Sequence, residues 1–131
     1  MIDCCHLDFF LYIKFDNRTD SALLESPPYS IFTPVCLRFQ YNISSTKVYV
    51  RVMITSPTRP QPYQVLQLTY GDQNPTSNWS TANVPLPDGL TRLQFVADKV
   101  GVTVDSASAM IDDVTIVDGG CSLLGLYFVT E

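Results

Sequence analysis

Between Leu37 and Ile43 the chain alternates. Leu37, Phe39, Tyr41 and Ile43 are apolar, and Arg38, Gln40 and Asn42 between them are polar. Successive side chains of a β-strand point to opposite faces, so this segment is predicted to be a strand with one buried and one wetted face. The same period of two recurs at Val48, Val50, Val52 and Ile54, at Leu66, Leu68 and Tyr70, and at Leu93, Phe95 and Ala97. Two further strands are predicted over residues 9–15 and 109–117, and β-branched and aromatic side chains dominate all of these runs.

Proline and glycine punctuate the intervals. Segments 26–28, 56–62, 71–75, 85–89 and 118–120 read as turns or loops, and nine prolines leave no long helical window. The 57–62 segment is predicted to be a long exposed loop. Short strands at fairly regular spacing point to an antiparallel sandwich or barrel. With 131 residues there is room for one domain. Apolar residues make up 46% of the chain and charged residues 16%, enough apolar material for a core and too little charge for a disordered chain.

The net charge of −5 and the scatter of eight Lys and Arg exclude an electrostatic footprint for nucleic acid or anionic lipid. Residues 123–129 are too few to span a bilayer, so no direct membrane insertion is expected. The apolar run 9–13 is flanked by Asp8 and Asp16 and has no basic leader. A secreted protein would therefore have its leader, or the rest of a larger polypeptide, outside this sequence.

Three N-x-S/T sequons, at Asn17, Asn42 and Asn78, point to the secretory pathway and are candidate glycosylation sites, with chance occurrence as the competing reading. Asn42 falls on the wetted face of its predicted strand, where a glycan has room. None of the four cysteines, Cys4, Cys5, Cys36 and Cys121, stands at a zinc-like spacing. Cys4 and Cys5 are neighbours, and Cα atoms about 3.8 Å apart lie below the usual disulfide range. They are left as free thiols, interchain links, or partners of sequence outside this chain. His6 is the only histidine; adjacent side chains on an extended chain point apart and no third group orients the pair, so neither a catalytic thiol nor a Ser-His-Asp triad is supported. No Gly-rich phosphate loop and no marked carboxylate pair is present.

Four fragments, taken in order, resemble a MAM domain. Ala22-Leu23-Leu24-Glu25-Ser26-Pro27 is similar to the family's A-x-L-x-S-P segment, and Cys36-Leu37-Arg38-Phe39-Gln40-Tyr41 to its C-L-x-F-x-Y strand. Trp79 followed by Val84 and Leu86 is similar to W-x4-V-x-L. Met110-Ile111-Asp112-Asp113-Val114 is similar to the hydrophobic-D-D-hydrophobic strand, and Cys121 stands where the closing cysteine is found. The resemblance covers residues 9–121, leaving 1–8 as an N-terminal extension and 122–131 as a tail or extra strand. The family's N-terminal third, with its Cys-Asp-Phe-Glu-like strand, has no counterpart here. Ser44 and Ser45 replace the glycine expected after Tyr41, and the 106–108 region replaces the one expected before Asp112.

The resemblance implies an all-β antiparallel sandwich of jelly-roll type, located outside the cell or on its surface. It implies a non-catalytic module for protein–protein contact in adhesion, receptor ectodomain assembly or oligomerisation. The partners would be other extracellular proteins, a self-copy, or other parts of a larger polypeptide. It further implies a Cys36–Cys121 disulfide. Some family members hold a cation near the Asp-Asp strand, so Asp112 and Asp113 become candidate ligands of a structural calcium or sodium ion, with Asp98, Asp105 or loop carbonyls as further oxygens. No other cofactor is expected. Strand alternation is expected to send one of the two carboxylates inward, where it would need hydrogen bonds. Trp79 is expected to anchor the core, against the alternative of an exposed platform. Tyr63, with the 57–63 segment, is expected to face a partner. The rival function is a carbohydrate-binding sandwich, with or without dependence on a cation, because one fold hosts both activities.

Overall fold

The computed structural model describes residues 3–7, 11–15, 21–26, 35–76, 78–86, 89, 92–101 and 107–121. These form nine strands: β1 (Asp3–Leu7), β2 (Leu11–Phe15), β3 (Ser21–Glu25), β4 (Val35–Ile43), β5 (Val48–Ser56), β6 (Arg59–Thr69), β7 (Ser80–Leu86), β8 (Arg92–Lys99) and β9 (Ala107–Asp118). One 3-10 turn, Tyr70–Asp72, follows β6. Every pairing is antiparallel. In the first sheet β9 is flanked by β4 on one side and by β1 and β2 on the other, with β7 beyond β4. The second sheet runs β3-β8-β5-β6. The all-β antiparallel sandwich of jelly-roll type is therefore the fold observed.

The alternation explains the layering. On β5, Val48, Val50, Val52 and Ile54 are buried while Tyr49, Arg51 and Met53 between them are half-buried. On β4, Leu37, Phe39, Tyr41 and Ile43 face inward. The sheets meet through Phe39 of β4 and Phe95 of β8, whose rings pack edge to face with centroids 5.0 Å apart. Each fully buried side chain of this size contributes about 1.5–3 kcal/mol relative to exposure.

Three features depart from the sequence reading. Asp3–Leu7, assigned to an N-terminal extension, is strand β1 and pairs with Val114–Val117 of β9. The expected long loop at 57–62 is a tight hairpin: Ser56 pairs with Arg59, and the Ser56 hydroxyl accepts the Arg59 N–H at 3.1 Å. Pro60 and Pro62 fit inside β6 because it is an edge strand, paired only with β5, where a missing N–H costs little. They also guard that edge against pairing with another chain.

The third departure lies in β9. Ile111 and Val114 are both buried although three residues apart. Arg38 pairs with Thr115 and Gln40 with Asp112, so Phe39 alone stands opposite two residues of β9. This is a β-bulge, and Asp113 makes it by adopting φ 57°, a left-handed conformation that Asp tolerates better than most side chains. The bulge resets the phase, so neither carboxylate is turned inward: Asp112 is half-buried and Asp113 exposed. The expected inward carboxylate is thus corrected.

Candidate functional site

β7 begins at Ser80, opposite Tyr41, so the last residues of β4 outrun their neighbour. Gln73 fills the gap. Its Nε2 donates to the Ile43 carbonyl at 2.9 Å, and its Oε1 accepts the Ile43 N–H, so a side-chain amide stands in for a strand residue. The connection that carries it is held at several points. Asp72 accepts the Thr69 N–H at 2.7 Å and the Thr69 hydroxyl at 2.9 Å. Asn74 donates its N–H to the Ser80 hydroxyl at 2.9 Å, and its side-chain oxygen accepts the Thr76 N–H and hydroxyl. The Tyr41 hydroxyl donates to the Asp72 carbonyl at 3.3 Å. Burial first, and the Asp72 charge second, push this phenol above its ordinary pKa.

Between the end of β4 and this connection lies an open cleft of about 460 Å³, lined by Asn42, Ser44, Tyr70, Gln73, Asn74 and Asn78 among others. Two of the three sequon asparagines meet here: Asn42 donates its Nδ2 hydrogen to the Asn78 backbone carbonyl. Asn78 is exposed and Asn42 half-buried. Tyr70 is 47% exposed. The third sequon, Asn17, lies outside the described residues.

Cys36 and Cys121 form a disulfide with Cα atoms 4.6 Å apart and a sequence separation of 85. It ties the start of β4 to the segment that leaves β9. Together with the strand order and the Asp-Asp strand, this bridge recreates the landmarks that the sequence resemblance singled out, and the MAM domain profile (meprin/A5/mu) matches residues 3–122. The chain belongs to the MAM domain family. MAM domains are extracellular modules, and a disulfide accords with that setting. No curated protein matches the sequence. Among solved structures, the MAM domain is similar to the K3 cleaved adhesin domain of Lys-gingipain from Porphyromonas gingivalis w83, at 13% identity and a TM-score of 0.60, covering 90% of this chain and 100% of that one. It is also similar to a CBM4 module, at 18% identity and a TM-score of 0.50, covering 82% of each chain. At these identities the shared property is the sandwich fold. No helix among the described residues is long and apolar enough to cross a membrane.

The remaining candidates of this MAM domain are spread over the molecule. The Oδ1 atom of Asp112 accepts the Asp113 N–H at 2.8 Å. Asp98, considered as a further oxygen ligand, lies in the other sheet and pairs with Arg51 at 2.8 Å, so the fold does not bring it to Asp112. Asp105 lies outside the described residues. Among the described residues no group of three His, Cys, Asp or Glu is placed to hold a metal ion. Tyr63 packs partly against the core, and the Arg59 guanidinium carbon sits 3.7 Å from its ring centroid, so one ring face is already used by a cation–π contact. Trp79 is half-buried, between exposed Asn78 and buried Ser80. Cys4, Cys5 and His6 belong to β1, with Cys5 in register with Ile116 and His6 with Thr115. Sequence reasoning missed Tyr70 and Gln73. The only signal was the breaker-rich 71–75 segment, which marks a loop and not what it meets.

Proposed function

We propose that this MAM domain is a non-catalytic extracellular module that binds a protein partner through the outer face of its second sheet. The observation that carries the reading is Leu23, 57% exposed on the edge strand β3. Val96 of β8 pairs with it, and Met53 of β5, one strand further on, lies diagonal to Val96; both are half-buried. Around them stand the Arg51–Asp98 ion pair and Glu25, which accepts hydrogen bonds from Arg92 at 3.2 Å and Gln94 at 2.7 Å. An apolar centre with a polar, hydrogen-bonded rim is the composition of protein–protein interfaces. The partner is another extracellular protein, a second copy, or a neighbouring part of a larger polypeptide. Secreted wild-type protein and its Leu23→Arg and Tyr63→Ala variants would be compared by sedimentation and by binding to cultured-cell surfaces. Leu23→Arg is expected to abolish association with folding intact, and Tyr63→Ala to leave it largely unchanged. Undiminished association of Leu23→Arg removes this face from the function.

The amide-lined cleft with exposed Tyr70 supports a second reading, a carbohydrate-binding module. Amides supply paired donors and acceptors to hydroxyl groups, and an aromatic ring offers an apolar face. Absence of hits on a glycan array at high protein concentration eliminates it.

A further inference from the structure

We infer that the cleft seats this chain's own N-linked glycan, with the first sugar on Asn42 lying against Tyr70. The inference rests on the extracellular reading, because the sugar is added in the secretory pathway. The occupant follows from the lining: a cleft bordered by two acceptor asparagines has its ligand delivered by a covalent bond, at an effective concentration no free saccharide matches.

The geometry selects Asn42 over Asn78. Asn42 is half-buried, and its Nδ2 donates one hydrogen to the Asn78 carbonyl, which fixes the plane of the amide. The second Nδ2 hydrogen is the one replaced. A bond forms between Nδ2 and the sugar C1 as the C1–oxygen bond to a lipid diphosphate donor breaks; the amide gives up one proton and the diphosphate departs. The linkage keeps one N–H, so the bond to Asn78 survives glycosylation. Asn78 is exposed, so a sugar there extends into solvent. The cleft volume of about 460 Å³ falls within the range of small-ligand sites. Tyr70, 47% exposed on its border, offers a ring for the apolar face of a sugar.

The test compares the chain secreted from eukaryotic cells with the same chain made in the periplasm of a host that adds no sugar, so Asn42 itself is unchanged. Peptide mapping reads occupancy, and thermal unfolding is followed before and after an endoglycosidase trims each glycan to one N-acetylglucosamine. Asn42 is expected to be occupied, and one sugar is expected to keep a gain of about 4 °C over the unglycosylated chain. In Tyr70→Ala the gain is expected to vanish. Sugar on Asn17 or Asn78 with Asn42 bare overturns the inference but leaves the extracellular reading standing. Four free thiols with all three sequons bare overturn both. An unchanged gain in Tyr70→Ala overturns the seating, as does binding of free saccharide in the cleft of the fully glycosylated protein.

Discussion

The two sheets share one core but differ in what they turn outward. In the first, the outer positions of β4 and β7 include Arg38, Gln40, Asn42, Thr81, Asn83 and Pro85, and the sheet is fastened by the Cys36–Cys121 bridge and bent by the bulge at Asp113. Tyr12 on β2 is its one strongly exposed aromatic residue among those described. In the second, described residues form no disulfide, and the outer face sets Leu23, Val96 and Met53 among ion pairs. The difference separates two tasks that compete within small domains. The cross-link and the bulge lie in the sheet that joins β1, β2 and β9, while the second sheet, with unbroken register along β3–β8 and β5–β8, sets out the apolar side chains that a partner would cover under the proposed reading.

The largest way to break this contrast is to remove the bridge. Replacing Cys36 and Cys121 together with Ala is expected to lower unfolding stability by about 4 kcal/mol, the loop-closure term for a crosslink of this span, measured by denaturant titration. A loss below about 1 kcal/mol would mean that packing alone secures the first sheet. The bulge comes next. Asp113→Val places a β-branched side chain at φ 57° and is expected to cost about 2 kcal/mol, whereas Asp113→Gly is expected to be near neutral, since glycine reaches that conformation without a Cβ clash. Equal losses for the two variants would assign the cost to the carboxylate and not to the backbone. The smallest effect is expected in the second sheet. Arg51→Met removes an ion pair whose side chains keep 30% and 18% exposure and should change stability by less than about 1 kcal/mol. A larger loss would show that this face also contributes to holding the fold.

Strands with a sharp contrast between faces were legible in the sequence. β4, β5 and β8 alternate between fully buried and wetted positions, and the expected boundaries lie close to those observed. β3 was not legible as a strand because Leu23 lies on its outer side, erasing the contrast. β7 hid behind Pro85, which an edge strand tolerates. The phase of Asp112 and Asp113 was misread because period-two counting assumes extended backbone, and one left-handed residue resets the count. The disulfide came from family landmarks and was found as expected. The cleft was beyond reach: Gln73 meets Ile43, and Asn78 meets Asn42, across the intervening hairpin, and only the fold brings those partners together.

β9 is the last strand described and stands between β4 and the β1–β2 pair of the first sheet. A ribosome reads the chain from the other end. β1, β2 and the β9-facing side of β4 therefore emerge without their partner and wait for it, while the second sheet, complete at Lys99, has all its strands earlier. During that interval Asn42 has no Met110 beside it, and Cys36 has no Cys121 to oxidise with. Among the described strands β9 thus acts as a latch on synthesis. A translation stop before residue 107 leaves a half-built sheet with open edges, the kind of species that folding helpers retain and quality control removes.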